Sequence, residues 1–146
     1  MDMIITFCGH SQFFSTNEYQ NRLIEILEHE VGDLTAEMYL GGYGGFDSFA
    51  YSCCKKYKQT NASISLVFVT PYIKVDPIIC QNYDSILYPG LEDKMPRFAI
   101  TYRNRFMVDK ADLIIAYIDH EWGGAYNTYK YARNKDKRII NLAEMQ

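Results

Sequence analysis

Cysteine is scarce in this chain and unpaired in pattern. Cys8, Cys53, Cys54 and Cys80 show no Cys-x-x-Cys spacing, which excludes a zinc ribbon, and they do not form the framework of a small secreted domain. Free thiols in a reducing compartment follow. Charge of one sign is lacking as well: the formal charge is −3 and no extended run of Lys and Arg occurs. The electrostatic footprint of a nucleic-acid surface is therefore missing, and no nucleic-acid partner is expected. No apolar run approaches the length of a membrane span, and Met1-Asp2 enters a short apolar segment without a basic leader. No membrane partner is expected, and a cytoplasmic protein is. Neither Gly-x-Gly-x-x-Gly nor Gly-Lys-Ser/Thr is present, which disfavours a dinucleotide fingerprint and P-loop ATPase chemistry.

What the chain has instead is apolar bulk and aromatics. With 146 residues, 48% hydrophobic, it is the size of one domain (1–146) able to bury a core without staples. Thirteen tyrosines and eight phenylalanines exceed what such a core needs, so some face a ligand or another subunit. Residues 3–8 form a continuous apolar run ending in Gly9-His10, the mark of a strand buried on both faces. Ser15-Thr16-Asn17-Glu18 has capping-box form and opens a helix to Val31, stopped by Gly32. A second strand over 34–40 leads into Gly41-Gly42-Tyr43-Gly44-Gly45 and a helix carrying Phe46, Phe49, Ala50, Cys53, Cys54 and Tyr57. Residues 64–69 give the third strand, after which 72–95 read as a long excursion with one short element near 85–88. A helix from Pro96, a buried strand over 112–118, a helix opened by Gly123-Gly124 and a last strand over 138–142 complete the chain.

Alternation of buried strands with helices predicts an α/β fold: a Rossmann-like three-layer sandwich with a mostly parallel five-stranded sheet in the order 3-2-1-4-5. Ligands of such sheets bind at the carboxyl edge where the strand order reverses, here between the first and fourth strands. The turns after the first, second and fourth strands meet there, and they hold the chemistry. In the 41–45 turn, Gly41, Gly42, Gly44 and Gly45 flank Tyr43 and allow close backbone approach, and the helix behind them offers its positive end to phosphate. Asp47, in that helix's first turn, serves either the helix dipole or a ligand. Gly9 and His10 put an imidazole on the same rim. Arg103 and Arg105 interrupt an apolar helix and are either solvated or reach a phosphate with bidentate geometry. Asp119 and Glu121 supply carboxylates for ribose hydroxyls, Trp122 a ring for base stacking, and Gly123 with Gly124 a second glycine pair.

These segments, in this order, resemble the SLOG superfamily, the Rossmann-like group that contains the LOG phosphoribohydrolases and the DprA/SMF proteins, and most closely its small YpsA-like members. The likeness rests on Phe7-Cys8-Gly9-His10, on Gly41-Gly42-Tyr43-Gly44-Gly45-Phe46-Asp47, on Tyr102-Arg103-Asn104-Arg105-Phe106-Met107-Val108-Asp109, and on Gly123-Gly124-Ala125 leading to Tyr131-Ala132 and Ile139-Ile140. It implies a nucleotide-derived ligand with its phosphate on the first glycine turn, Arg103 as the family's arginine, and pairing of subunits into a homodimer or higher homo-oligomer. The LOG signature Pro-Gly-Gly-x-Gly-Thr-x-x-Glu is altered here. Trp122 stands for the proline, Tyr126 and Asn127 for Gly-Thr, and Lys130 for the glutamate that hydrolysis uses. The expectation is therefore a domain that binds a nucleotide-derived small ligand for sensing, sequestration or signalling, with no cofactor and no metal site. Two alternatives stand beside it. One is a nucleoside-monophosphate N-glycosidase in which Arg103, Asp119 and Glu121 carry catalysis; the other is a protein-interaction module with a vestigial pocket.

Overall fold

The computed structural model describes residues 2–144 and shows a three-layer α/β sandwich. Its elements in chain order are β1 (Asp2–Gly9), α1 (Asn17–Val31), β2 (Thr35–Leu40), α2 (Gly45–Lys58), β3 (Ile64–Val69), α3 (Pro77–Asn82), β4 (Ser85–Leu87), α4 (Ala99–Lys110), β5 (Leu113–Tyr117), α5 (Gly124–Asn134) and β6 (Ile139–Asn141). The strands form one parallel sheet in the order β4-β3-β2-β1-β5-β6. That is the expected order with one strand added at the edge. The added strand lies in the segment read as an excursion, and α3 precedes it. Neither carried a periodic signal, because β4 has three residues and α3 six, with none of α3's side chains buried.

Local chemistry sets the helix ends. Thr16 caps α1 by accepting the Tyr19 N–H at 3.1 Å, and Gly32, at φ 52°, closes it by donating its N–H to the Glu28 carbonyl. Pro96 opens a 3-10 turn (Pro96–Phe98) that runs into α4.

Both faces of the sheet are covered, and alternate residues of each strand serve opposite layers. Ile5, Phe7, Met38, Leu40, Leu113 and Ile115 pack under α1 and α2 against Leu23, Leu27, Phe46 and Cys54. On the other face Cys8, Ile114 and Ala116 meet Val108 of α4 and Ala132 of α5, while Tyr39, Val67 and Val69 meet Met107. Leu23, Leu27, Ile5 and Leu113 are fully buried, each contributing about 1.5–3 kcal/mol by burial. Such strands leave their carboxyl ends as the edge where polar groups can gather. No helix among the described residues is long and apolar enough to cross a membrane.

Candidate ligand-binding site

At the carboxyl edge, between β1 and β5, a cavity of about 370 Å³ opens beside the N-terminus of α5. Its walls bring together Gly9 and His10 after β1, Tyr43 and Asp47 around the start of α2, Arg103 and Asn104 of α4, and His120, Trp122, Gly123 and Gly124 after β5. A cavity of this size at a switch point suits a small organic ligand. A smaller one of about 190 Å³ lies beyond it at the ends of β2 and β3, sharing Tyr43, Ile100 and Arg103 as a common wall.

The two glycine turns differ sharply. The 41–45 turn is packed against the loop after β1: Gly45 N–H donates to the Ser11 carbonyl at 2.7 Å and Phe46 N–H to that of His10 at 3.3 Å. A Cβ on Gly44, whose φ is 90°, would lie 2.8 Å from Ser11, and one on Gly9 would lie 2.3 Å from the buried ring of Phe46. Tyr43 N–H donates to Asp47 Oδ2 at 2.9 Å. These donors, which a phosphate at α2 would need, are engaged by the chain itself. At Gly123 and Gly124 a Cβ would meet nothing within 4 Å, and Gly123 caps α5 without a side-chain bond. The start of α5 thus lines the cavity with nothing packed against its two glycines.

Arg103 joins the two turns. Its side chain is 2% exposed, and Nη1 donates to the carbonyls of Gly41 at 3.0 Å and Val69 at 2.8 Å. Nε donates to Asn104 Oδ1, Asn104 Nδ2 donates to Thr128 Oγ1, and Thr128 Oγ1 donates to the Gly124 carbonyl. A chain of hydrogen bonds therefore runs along the wall between the two turns, with Arg103 donating towards both ends. Arg105 takes no part: it is exposed and stacks on Tyr131, 5.1 Å from its ring centre, on the outside of α4 and α5. Burial lowers the Arg103 pKa from its ordinary value, an effect Asp47 opposes. Asp47 itself is pushed up to about 6 by burial, although the Tyr43 N–H and Arg103 act to lower it. Cys8 also faces the cavity, but burial pushes its thiol up to about 12 and it donates to the Ala125 carbonyl, so it offers no thiolate.

A column of rings forms the lip. His10 is 5% exposed and stacks on His120 with centroids 3.5 Å apart, and His120 packs on Trp122 at 3.8 Å. Asn141 fixes the exit of β5 by bonding both the N–H and the carbonyl of Ile118, which turns the next residues towards His10. Asp119 N–H donates to His10 Nε2 at 3.3 Å, and Asp119 Oδ1 lies 2.7 Å from His120 Nδ1. Burial lowers the His10 pKa, as does His120, while Asp119 raises it. Trp122 is 70% exposed and free to receive a flat ligand. Asp119 and Glu121 are exposed and outside the cavity lining, which leaves Asp47 as its carboxylate. His120, Asn104 and Thr128 were not singled out in the sequence. The signal for His120 is positional: His10 and His120 follow strands that pair in register up to Gly9 and Tyr117.

No protein-family model matches the chain, and no curated protein does. Solved structures do. DNA processing protein A from Streptococcus pneumoniae matches with a TM-score of 0.66 and 14% identity, over 94% of this chain and 49% of that one. Its Helicobacter pylori counterpart, described for its single-stranded DNA binding mode, matches at 0.64 and 18%, over 94% and 63%. The molybdenum cofactor carrier protein from Chlamydomonas reinhardtii matches at 0.57 and 14%, over 98% and 78%. The chain accordingly shares the Rossmann-like three-layer fold of these proteins. This chain spans about half the length of the Streptococcus protein it matches.

One expectation is corrected here. The acidic balance was read as excluding nucleic acid, yet the Helicobacter protein of this same fold binds single-stranded DNA. A charge summed over the chain says little about one edge, and stacking on exposed rings such as Tyr43, Tyr72 and Trp122 does not register in a charge count.

Proposed function

We propose that the chain binds a nucleotide or nucleotide-derived small ligand in the larger cavity and senses, sequesters or presents it. The observation that carries this reading is the open first turn of α5, with space at Gly123 and Gly124, facing a cavity whose lip is the exposed Trp122. Phosphate takes the N–H groups of α5, where the helix dipole favours an anion, and the base stacks on Trp122 and His120. The anion seat thus moves from the 41–45 turn, whose donors are engaged, to the second glycine pair. A carrier among the proteins of this fold supports a role of holding a ligand. Self-association belongs to the proposal, with exposed Met95, Phe98 and Ile100 at the start of α4 as an apolar surface for it.

The test is a panel of nucleoside mono- and diphosphates added to the full chain, read by thermal melting and by chromatography for released base. A binder melts higher and releases no base; saturation at a hundred times Kd is worth about 2.7 kcal/mol. Released base would identify the N-glycosidase instead, with Asp47 as the carboxylate in the cavity. A second reading, single-stranded DNA laid across the rim, is favoured by exposed Tyr43, Tyr72 and Trp122 on one edge and by the Helicobacter protein. Fluorescence polarisation of a labelled oligothymidine, with and without competing mononucleotide, separates the two.

A further inference from the structure

We propose that His10, Asp119 and His120 form a divalent transition-metal site at the lip of the cavity. Their ligand atoms all lie within 4.8 Å of one another. Asp119 Oδ1 is 3.5 Å from His10 Nε2 and 2.7 Å from His120 Nδ1. A metal bonded to nitrogen and oxygen at about 2.0–2.2 Å holds neighbouring ligand atoms about 3–3.4 Å apart, and the two distances from the carboxylate oxygen bracket that spacing. Two imidazoles and one carboxylate are the donor set of open, non-structural sites for zinc-like and iron-like cations, which keep further positions for water or substrate.

Placement supports the assignment. His10 follows β1 and Asp119-His120 follow β5, the neighbouring strands at which the sheet order reverses. His10 is buried and held by its neighbours, its backbone N–H bonding Tyr117 and its carbonyl accepting from Phe46, and its Nε2 accepts the Asp119 N–H. Nε2 is therefore the unprotonated nitrogen, and a metal would take over the single lone pair that now accepts the Asp119 N–H. The rings of His10 and His120 now lie face to face, 12° from parallel, whereas a metal bonds in the plane of an imidazole. Ligation must therefore turn one ring off the stack. His120, with a side chain 30% exposed against 6% for His10, is the one able to turn. Both histidines line the cavity, so the open coordination positions face it. Towards a phosphate, the cation would add charge opposite the open turn of α5; that role rests on the nucleotide-binding reading, whereas cation binding itself does not.

The structure supplies its own reporter. Trp122, the single tryptophan of the chain, packs on His120, so turning His120 changes its surroundings. The full chain, stripped with chelator, is titrated with Co²⁺ and with Zn²⁺ without nucleotide, following Trp122 fluorescence, Co²⁺ visible absorption and bound metal by equilibrium dialysis. One ion per chain is expected, with a fluorescence change that saturates at that ratio. Asp119→Asn and His120→Ala, both on a solvent-facing loop, should weaken binding by at least about tenfold while melting like the parent. Cys80→Ser, which removes an exposed thiol elsewhere, should leave it unchanged. Binding absent from the parent, or retained at parental affinity in His120→Ala, overturns the site. Either failure leaves nucleotide binding by the parent chain, measured in chelator, untouched and so distinguishable.

Discussion

Gly41-Gly42-Tyr43-Gly44-Gly45 and Gly123-Gly124 sit at one edge of one sheet, each at the junction of a strand or its loop with the following helix, and they differ in what surrounds them. Around the first, Phe68 stands where a Cβ would go at Gly42, Ser11 at Gly44, and Ser11 with Phe13 at Gly45, while the Arg103 guanidinium lies against Gly41. Around the second, the same test meets open space. Glycine at the first turn is required by packing within the chain; at the second it leaves a helix terminus accessible. A glycine-rich turn thus carries two meanings that the sequence writes identically, and only the neighbours decide between them.

The sharpest way to break the comparison is to cut the hydrogen-bond chain that joins the two turns. Arg103→Ala strands the carbonyls of Gly41 and Val69 and empties a buried volume. A loss of about 4 kcal/mol is expected, measured by urea unfolding. Gly44→Ala comes next: a positive φ and a 2.8 Å contact with Ser11 should together cost about 3 kcal/mol, which for a chain of this size lowers Tm by roughly 6–12 °C.

Asp47, between the turns, gives a pH-dependent test. Its pKa is raised to about 6 in the folded protein, so folding favours its protonated form. The associated stability is complete below its unfolded value near 4 and is lost as pH rises to 6. Asp47→Asn should remove that loss and be the more stable protein at pH 7 by on the order of 2 kcal/mol, read as the difference between the two unfolding curves from pH 4 to 8. The smallest stability effect belongs to the second turn. Gly124→Ala, with open space around its Cβ, should change stability by under about 0.5 kcal/mol while crowding the anion seat, lowering the melting shift given by a nucleotide.

Much of the fold was legible because its strands are buried on both faces. The runs 112–118 and 3–8 announce central parallel strands, Gly32 marks the end of α1 where the structure has it, and the Ser15-to-Glu18 box announces its start, although the cap is Thr16 and not the Ser15 such a box uses. β4 was obscure for a physical reason: three half-exposed residues at an edge need neither period nor apolar composition, and pairing with β3 supplies their order. At the site, Gly9, His10, Asp47, Arg103, Trp122, Gly123 and Gly124 do converge on one cavity. The use each is put to depends on contacts distant in sequence, which no local pattern encodes. Arg103 spends a nitrogen on carbonyls 62 and 34 residues away, and His120 gains its partner only because β1 and β5 are adjacent.

The central claim, that the ligand seat lies at the open turn and not at the packed one, is tested most directly by amide NMR. The full chain, labelled with nitrogen-15, is titrated with adenosine monophosphate. The largest saturable shifts are predicted at the amides of Gly123, Gly124 and Ala125 and at the Trp122 indole, with Gly44 and Gly45 little moved. Shifts concentrated at Gly42, Gly44 and Gly45, with residues 122–125 unmoved, would contradict the account.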